Sequence, residues 1–183
     1  MNMDKIDGFR DQYRFLSNFY PCAVEVNGIV YPTAEHAYQA AKSLNHNDRL
    51  AISKLPKPGD AKRYGRVISI RSDWGQVKYA TMLFILWQKF KNEPFKSLLV
   101  NTCPLQLIEG NTWHDNIWGD CSCPRCRNIT GQNLLGKALM DIRDRLGNES
   151  RQQLPLVSQS HLRAQLILFS LADQPQELLT LKN

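Results

Sequence analysis

The most informative segment reads Pro32-Thr33-Ala34-Glu35-His36-Ala37-Tyr38-Gln39-Ala40-Ala41-Lys42-Ser43 and predicts a short helix. Pro32 and Thr33 suit the helix entry, where a threonine hydroxyl can cap free N–H groups. Glu35, Gln39 and Lys42 follow at i, i+4 and i+7, which places them on one face. Such a row is typical of a solvated face, but the alanines around it leave room for neighbouring elements to approach closely. We therefore favour a buried helix that carries a polar row.

The overall composition predicts a globular protein without a membrane segment. The chain has 183 residues, of which 43% are hydrophobic and 22% charged, as in ordinary globular domains. No apolar run approaches the roughly 20 residues of a membrane helix, and the N-terminus lacks the apolar core of a signal peptide. We expect a cytoplasmic protein with one domain over 1–147. The composition shifts after that point, so 148–183 is interpreted as a C-terminal extension of unknown role.

The remaining elements follow from local patterns. Residues 9–31 resemble strand material with turns, and Asn27-Gly28 between two short apolar runs predicts a β-hairpin, because this pair suits a type I′ turn. Pro56-Lys57-Pro58-Gly59 is interpreted as a helix stop. We expect a short strand at 105–109 and helices at about 47–55, 60–66, 74–91, 93–101 and 131–146, the last ended by Gly147.

Residues 110–127 form a polar segment without helix or strand period, of the kind that often carries function. Asp115 and Asp120 could serve acid–base chemistry or stabilise a cationic sugar, and Trp113 and Trp118 could stack on a base or sugar. The alternative is that the tryptophans are core anchors and the aspartates are caps. The segment alone leaves both interpretations open.

The cysteines and the net charge limit the possible partners. Five cysteines, an odd number, do not suggest a disulfide framework in a reducing cytosol. Cys123 and Cys126 have the spacing of half a zinc knuckle, with Cys121 beside them. A fourth ligand would have to come from His114, Cys103, Cys22 or a carboxylate, so we expect free thiols and no metal, with a structural zinc as the alternative. A charge of +6 permits a nucleic-acid partner without requiring one.

Six segments in order together resemble the NADAR family, over residues 9–146. They are Leu16-Ser17-Asn18-Phe19-Tyr20-Pro21, the segment Tyr31–Lys42, Gly65-Arg66, Asp73-Trp74, Trp118-Gly119-Asp120 and Asn133-Leu134-Leu135-Gly136-Lys137-Ala138-Leu139-Met140. The resemblance implies an α+β, mainly α fold: a helical domain with a small N-terminal β-hairpin. The cysteine segment after Asp120 departs from the family pattern.

The resemblance points to Glu35, Trp74 and Asp120 as site residues, with Lys42 in the shared helix motif, and the roles that follow are our hypothesis. Glu35 is expected as general acid/base, Lys42 as a phosphate anchor or a Schiff-base nucleophile, and Asp120 as a partner of the ribose or of its cation. Expected substrate contacts, with Lys62 as a further phosphate or sugar candidate, are Asn18, Phe19, His36, Arg66, Trp74, Trp118, Gly119 and Asn133. Taken alone, His36 in a helix is more typical of packing than of catalysis.

The resemblance implies N-glycosidase activity. Family members cleave early riboflavin-pathway intermediates or remove ADP-ribose from guanine in nucleic acid. We therefore expect hydrolysis of a bond from ribose C1 to an exocyclic amine, on a small-molecule N-glycoside or on ADP-ribosylated nucleic acid, with no cofactor. Two alternatives remain: a non-catalytic module that binds ADP-ribose, an NAD derivative or nucleic acid, and a zinc-stabilised nucleic-acid-binding protein. The sequence does not predict an oligomeric state.

Overall fold

The structure is a computed structural model that describes residues 4–151 of the chain. Its helices are α1 Ala34–Ala40, α2 His46–Ser53, α3 Pro58–Tyr64, α4 Trp74–Phe90, α5 Phe95–Val100 and α6 Leu134–Arg151. Its short strands are β1 Lys5–Asp7, β2 Val24–Val26, β3 Ile29–Tyr31, β4 Gln106–Ile108, β5 Gly110–Asn111 and β6 Asp120–Cys121. The predicted α+β, mainly α fold with a small N-terminal hairpin is confirmed.

The hairpin and α1 form where the local signals place them. Strands β2 and β3 pair antiparallel, and the turn residues Asn27 and Gly28 have φ angles of 50° and 74°, as a type I′ turn requires. Thr33 then caps α1, since its side chain accepts a hydrogen bond from the backbone N–H of His36. The chain thus enters α1 directly from the hairpin.

Helix α1 is buried along its whole length. Each of its seven residues is shielded from solvent, because α2, α3, α4 and the hairpin all pack against it. The alanines permit this close approach, and the interpretation of a buried rather than a solvated helix is confirmed. Every polar side chain on α1 has therefore been taken out of water, which is costly unless the group is hydrogen-bonded or neutralised.

A second packing layer joins the later helices. Helix α6 packs on α4, on α5 and on β4. The apolar stripe of α6 is buried, as expected, and comprises Leu135, Leu139, Ile142 and Leu146. Strand β1 pairs in parallel with β4, and β5 pairs in parallel with β6. The β5–β6 pair joins residues 110–111 to 120–121 within the polar segment 110–127.

Three local expectations were wrong. The expected strand material before the hairpin contains a 3₁₀ helix, Asp11–Leu16, which buries the adjacent pair Phe15 and Leu16; two neighbours cannot share one face of a strand. The helix stop expected at Pro56-Lys57-Pro58-Gly59 is confirmed, because α2 ends at Ser53. The next helix, however, begins at Pro58 rather than at residue 60, since a proline in the first turn loses no helical hydrogen bond. Helix α6 continues past Gly147, which sits in open space, so only the modest helix-propensity cost of glycine applies.

The predicted extension 148–183 lies outside the described residues apart from the last turn of α6, so the domain division remains a prediction. Within residues 4–151, none of the helices combines the length and the apolar character needed to span a bilayer.

Lys89 is an unusual buried cation in α4. It is 2% exposed, its Nζ donates to the carbonyl oxygen of Ser17 at 2.7 Å, and it lies 4.9 Å from the centre of the Phe90 ring. Burial lowers the pKa of Lys89 to about 7, against the opposing attraction of Cys22 and Glu109. The ammonium is therefore easily deprotonated in the folded state but not in the unfolded state.

This difference predicts a pH-dependent stability. Because the folded-state pKa of Lys89 is lowered, its destabilising effect is complete below about pH 7 and disappears as pH rises toward the unfolded-state value. One pKa unit corresponds to about 1.4 kcal/mol. Between pH 7 and pH 9, the free energy of unfolding of the wild type should therefore rise by about 2–3 kcal/mol more than that of Lys89→Met, as measured by urea denaturation. The exposed Lys91 gives the control Lys91→Met, and an equal pH dependence in both variants would contradict the prediction.

Candidate active site

Glu35 is the central ionisable group of the site. It lies on α1, is 7% exposed and accepts a hydrogen bond at Oε1 from the Gln39 amide at 2.8 Å. Burial raises its pKa, while the Gln39 hydrogen bond and the ammonium groups of Lys62 and Lys42 oppose that shift. The carboxyl group thus retains its proton at higher pH than an exposed glutamate, which suits a general acid.

Lys42 lies just after the end of α1 and is the last residue of the polar row that begins with Glu35. Its Nζ donates to the carbonyl oxygen of Gly65 at 3.4 Å. Burial lowers the pKa of Lys42, the Glu35 carboxylate raises it, and the nearby charges of Lys62 and Arg66 lower it further. The predicted acid and amine are therefore close enough to influence each other, and both pKa values are shifted toward the neutral form.

An aromatic wall stands next to this pair. The Tyr38 ring lies 5.1 Å from that of Trp74 and 5.4 Å from that of Trp118, and Tyr79 stacks on Trp118 at 6.5 Å. Burial and the Glu35 charge raise the pKa of Tyr38, which also has a side-chain hydrogen bond with Trp118. Trp74 and Trp118 thus converge on α1, whereas Trp113 is 60% exposed and is not a core anchor.

Two further carboxyl groups belong to the same electrostatic cluster. Burial raises the pKa of Glu109 to about 7, with a further rise from Asp115 and opposing effects from Lys62 and Lys89. Asp115 also raises the pKa of Glu35. Its Oδ1 accepts hydrogen bonds from the backbone N–H groups of Trp118 at 2.8 Å and Ile117 at 3.1 Å. Glu35 and Glu109 are therefore coupled to the same aspartate and the same lysine.

A cavity of about 880 Å³ opens beside Glu109 and Asp120, with Arg10 and Arg127 also on its wall. Glu35 and Lys42 are not among its lining residues. The Oδ1 of Asp120 accepts a hydrogen bond from the backbone N–H of Gly131 at 2.8 Å. Asp120 therefore lies on the side of the site formed by this cavity, and Asp115 is the aspartate whose charge acts on Glu35.

Three of the predicted substrate contacts, His36, Gly119 and Asn133, bind or pack against other parts of the protein. His36 is fully buried, with Nδ1 at 2.8 Å from the Thr33 hydroxyl and Nε2 at 3.1 Å from the Leu55 carbonyl oxygen. The Asn133 side chain accepts from the N–H of Glu109 and donates to the carbonyl of Leu107. Gly119 is packed so tightly that a Cβ atom would overlap the Glu109 carbonyl oxygen. These three residues therefore support the structure around the site.

Three other predicted contacts lie closer to the charged groups. The Asn18 backbone oxygen accepts the N–H of Glu35 at 3.0 Å, and its side-chain Oδ1 is buried without a hydrogen-bond partner among the described residues. Phe19 is 41% exposed, with the Lys62 Nζ 5.9 Å from its ring centre. Arg66 is exposed and acts electrostatically on Lys42.

Sequence reasoning missed Glu109 and did not assign Asp115 a role at Glu35. Glu109 carries no motif, and its position follows from contacts with distant segments, since β4 pairs with β1 and the Glu109 N–H donates to the Asn133 side chain. The position of Asp115 could have been predicted, because an aspartate often accepts hydrogen bonds from the backbone N–H groups that follow it in an Asx turn. Here those groups belong to Ile117 and Trp118.

The fold and this site agree with a known family. The sequence profile of the NADAR domain matches residues 7–147, and the chain belongs to the NADAR domain family.

Relatives and a solved structure support the same assignment. The N-glycosidase YbiA of Shigella boydii serotype 4 is 37% identical over 142 residues, which cover 76% of this chain and 85% of that protein. A riboflavin biosynthesis protein of Vibrio vulnificus is 32% identical over 139 residues, covering 74% of this chain and 36% of that protein. The NMR structure of the E. coli protein YbiA aligns with a TM-score of 0.69 and 32% identity, covering 85% and 92% of the two chains. The expected reaction class, hydrolysis of an N-glycosyl bond, is confirmed.

The contact between Gly65 and Gln39 yields a prediction about the packing behind Glu35. Gly65 has φ −65° and ψ −2°, which any residue can adopt, but an added Cβ would overlap the Gln39 Oε1 and lie 2.9 Å from its Cδ. Because Gln39 is buried, Gly65→Ala should lower the free energy of unfolding by about 1–3 kcal/mol, measured by chemical denaturation.

Gly75 provides the matched control for this substitution. A Cβ there meets nothing within 4 Å, and the residue lies in α4, so Gly75→Ala should be neutral or stabilise by up to about 1 kcal/mol. Equal effects of the two alanines would contradict the packing argument.

Proposed function

We propose that this chain hydrolyses the bond between C1 of a ribose and an exocyclic amine of a heterocycle. Its first candidate substrate is guanine in nucleic acid that carries ADP-ribose. The observation that carries the proposal is the pairing of a buried Glu35, whose pKa is raised, with Lys42, whose pKa is lowered, beside an aromatic wall. Such opposed shifts of two neighbouring groups are typical of acid–base sites.

Glu35 acts as the proton donor at the bond that breaks. An exocyclic amine is a poor leaving group unless its nitrogen is protonated as the C1–N bond cleaves. Burial raises the pKa of the Glu35 carboxyl and so favours its protonated form, and the Gln39 amide, at 2.8 Å, holds the side chain in one orientation. After the transfer, the adjacent ammonium group of Lys62 stabilises the carboxylate. Glu35 then accepts a proton from the water that completes hydrolysis.

Lys42 acts as the nucleophile toward the ring-opened sugar. In that form C1 is joined to the leaving nitrogen as an imine, and the neutral amine of Lys42 adds to C1 and displaces the heterocyclic amine. Water then hydrolyses the resulting lysine imine, so the net reaction consumes one water and releases the amine and the free sugar. The lowered pKa of Lys42 supplies the neutral amine that such a nucleophile needs.

The surroundings suit a large, anionic and partly aromatic substrate. Trp74 and Trp118 offer faces on which a heterocycle can stack, and Lys62 and Arg66 supply positive charge near the amine. The cavity of about 880 Å³ lies within the volume range of ligand sites, and its Arg10 and Arg127 offer partners for a diphosphate. These features favour ADP-ribose over an unsubstituted ribose.

A second candidate is a ribosylamino intermediate of riboflavin synthesis. The name of the Vibrio vulnificus relative favours it, and such a compound presents the same ribose-to-amine bond. The rival of a different class is a module that binds ADP-ribose or a modified nucleic acid without cleavage. A binding module would use the same site residues as an enzyme, so the release of product distinguishes the two.

The first test compares substrates directly. We expect the full chain to release ADP-ribose from guanine-ADP-ribosylated DNA faster than it cleaves the ribosylamino intermediate, with products followed by mass spectrometry. Glu35→Gln should lower kcat by about 10²–10⁴-fold while binding is retained. Because the mechanism needs a protonated Glu35 and a neutral Lys42, the wild-type rate should pass through a maximum as pH is varied, falling at low pH and at high pH.

The exposed Glu25 in β2 provides the control Glu25→Gln, which should leave the rate unchanged. Faster cleavage of the riboflavin intermediate would reverse the order of the candidates. Binding of the ADP-ribosylated DNA without release of product by the wild type would overturn the enzymatic proposal.

A covalent trap tests the role of Lys42. Borohydride reduces an imine to a stable amine, so treatment during turnover should add the mass of the sugar portion to the wild type, at Lys42 in a peptide map. Lys42→Arg keeps the charge but cannot form the imine, and should lose both the adduct and turnover. Lys54→Arg, at an exposed position after α2, is the control. Retained turnover by Lys42→Arg would instead make the residue a phosphate anchor.

A further inference from the structure

Four metal-binding side chains meet at one end of the polar segment. The Nδ1 of His114 lies 3.1 Å from the Sγ of Cys123 and 3.3 Å from that of Cys126. With the Sγ of Cys121, these four ligand atoms all lie within 4.8 Å of one another, and the three cysteines are buried. The sequence expectation of free thiols does not account for such convergence.

We propose that His114, Cys121, Cys123 and Cys126 bind one Zn²⁺ ion as a structural site. Zinc bonds of about 2.3 Å to sulfur and about 2.0 Å to nitrogen place neighbouring ligands of a tetrahedron roughly 3.5–3.8 Å apart. The present separations, from 3.1 Å up to at most 4.8 Å, require changes of no more than about 1 Å to reach that geometry. Four protein ligands leave no open position, which is the arrangement of structural rather than catalytic zinc.

The local backbone presents these ligands without help from distant elements. The N–H groups of Cys126 and Arg127 both donate to the carbonyl oxygen of Cys123 at 2.9 Å, which closes the C-x₂-C turn. Cys121 is fixed in β6 by pairing with Asn111. His114 has a φ of 67°, a left-handed conformation that is uncommon for a residue with a side chain. A metal bond to its ring would compensate for that conformation.

The donor set and its spacing select the kind of metal. Three thiolates and an imidazole are soft and borderline ligands, which favour zinc over magnesium or calcium. Ligand atoms within 4.8 Å surround one ion, whereas the thiolates of an iron–sulfur cluster must stand further apart to enclose several atoms. The remaining cysteines, Cys22 and Cys103, are only partly buried and exposed, respectively.

The zinc would fix the segment that carries part of the candidate active site. Asp115 and Trp118 lie between the ligands His114 and Cys121, and both act on α1 through Glu35 and Tyr38. One ion would thus tie both ends of that segment together. The metal site depends on its own four ligands and does not rest on the proposed function.

Metal analysis of the purified full chain tests the proposal. Protein produced in zinc-supplemented medium and isolated without chelators should contain about one zinc per chain. After removal of the zinc under reducing conditions, one equivalent of Co²⁺ should give the intense visible bands of a tetrahedral cobalt–thiolate site. Iron in place of zinc would overturn the assignment, as would a zinc content below about a tenth per chain together with no tetrahedral cobalt spectrum.

A matched pair of cysteine variants locates the metal. Cys123→Ser should lose the zinc and the thiolate-to-cobalt bands, while Cys103→Ser, at an exposed position, should keep both. His114→Ala offers a milder variant, whose cobalt spectrum should shift as one nitrogen ligand is replaced by water. Retention of full zinc content by Cys123→Ser would overturn the site even if the wild type contains zinc. These readouts do not depend on enzyme activity.

Discussion

A carboxyl group inside a fully buried helix is the constraint on which the rest of the structure depends. Glu35 lies on α1, where no residue is left to solvent, so ionisation there is opposed by the loss of hydration. Neighbouring groups partly offset this effect, because the Gln39 amide and the positive charges of Lys62 and Lys42 stabilise the carboxylate. The packing that creates the fold therefore also creates the chemistry, because the same helices that bury α1 shift the pKa of its acid.

Local signals in the sequence accounted for the elements whose stability is local. The Asn27-Gly28 turn and the Thr33 cap each depend on a few consecutive residues, and both formed as expected. The errors arose where a local signal is weak or where an element depends on a remote contact. Gly147 would often end a helix, yet α6 continues through it, and no local pattern announces the parallel pairing of β1 with β4.

The candidate site divides in the same way. Helix periodicity alone placed Glu35 and Lys42 on one row, and family resemblance added Trp74 and Trp118, which do converge on α1. Glu109 escaped notice because its position follows from pairings between distant segments. The amide of Asn133 shows the converse limit, since a residue within a shared motif binds the backbone around β4. A motif identifies which residues matter but not whether they support the fold or face the ligand.

The β1–β4 pairing has a consequence for synthesis on the ribosome. Strand β1 leaves the exit tunnel first, but its partner follows only after five helices. The hairpin and α1 can assemble from neighbouring residues during that interval, whereas the edge of β1 must wait unpaired. Contacts between remote parts of a chain form late because closing a long loop costs entropy. The wall of the cavity includes Asp7 from β1 and also Thr130, so it is completed only after residue 130 has left the tunnel.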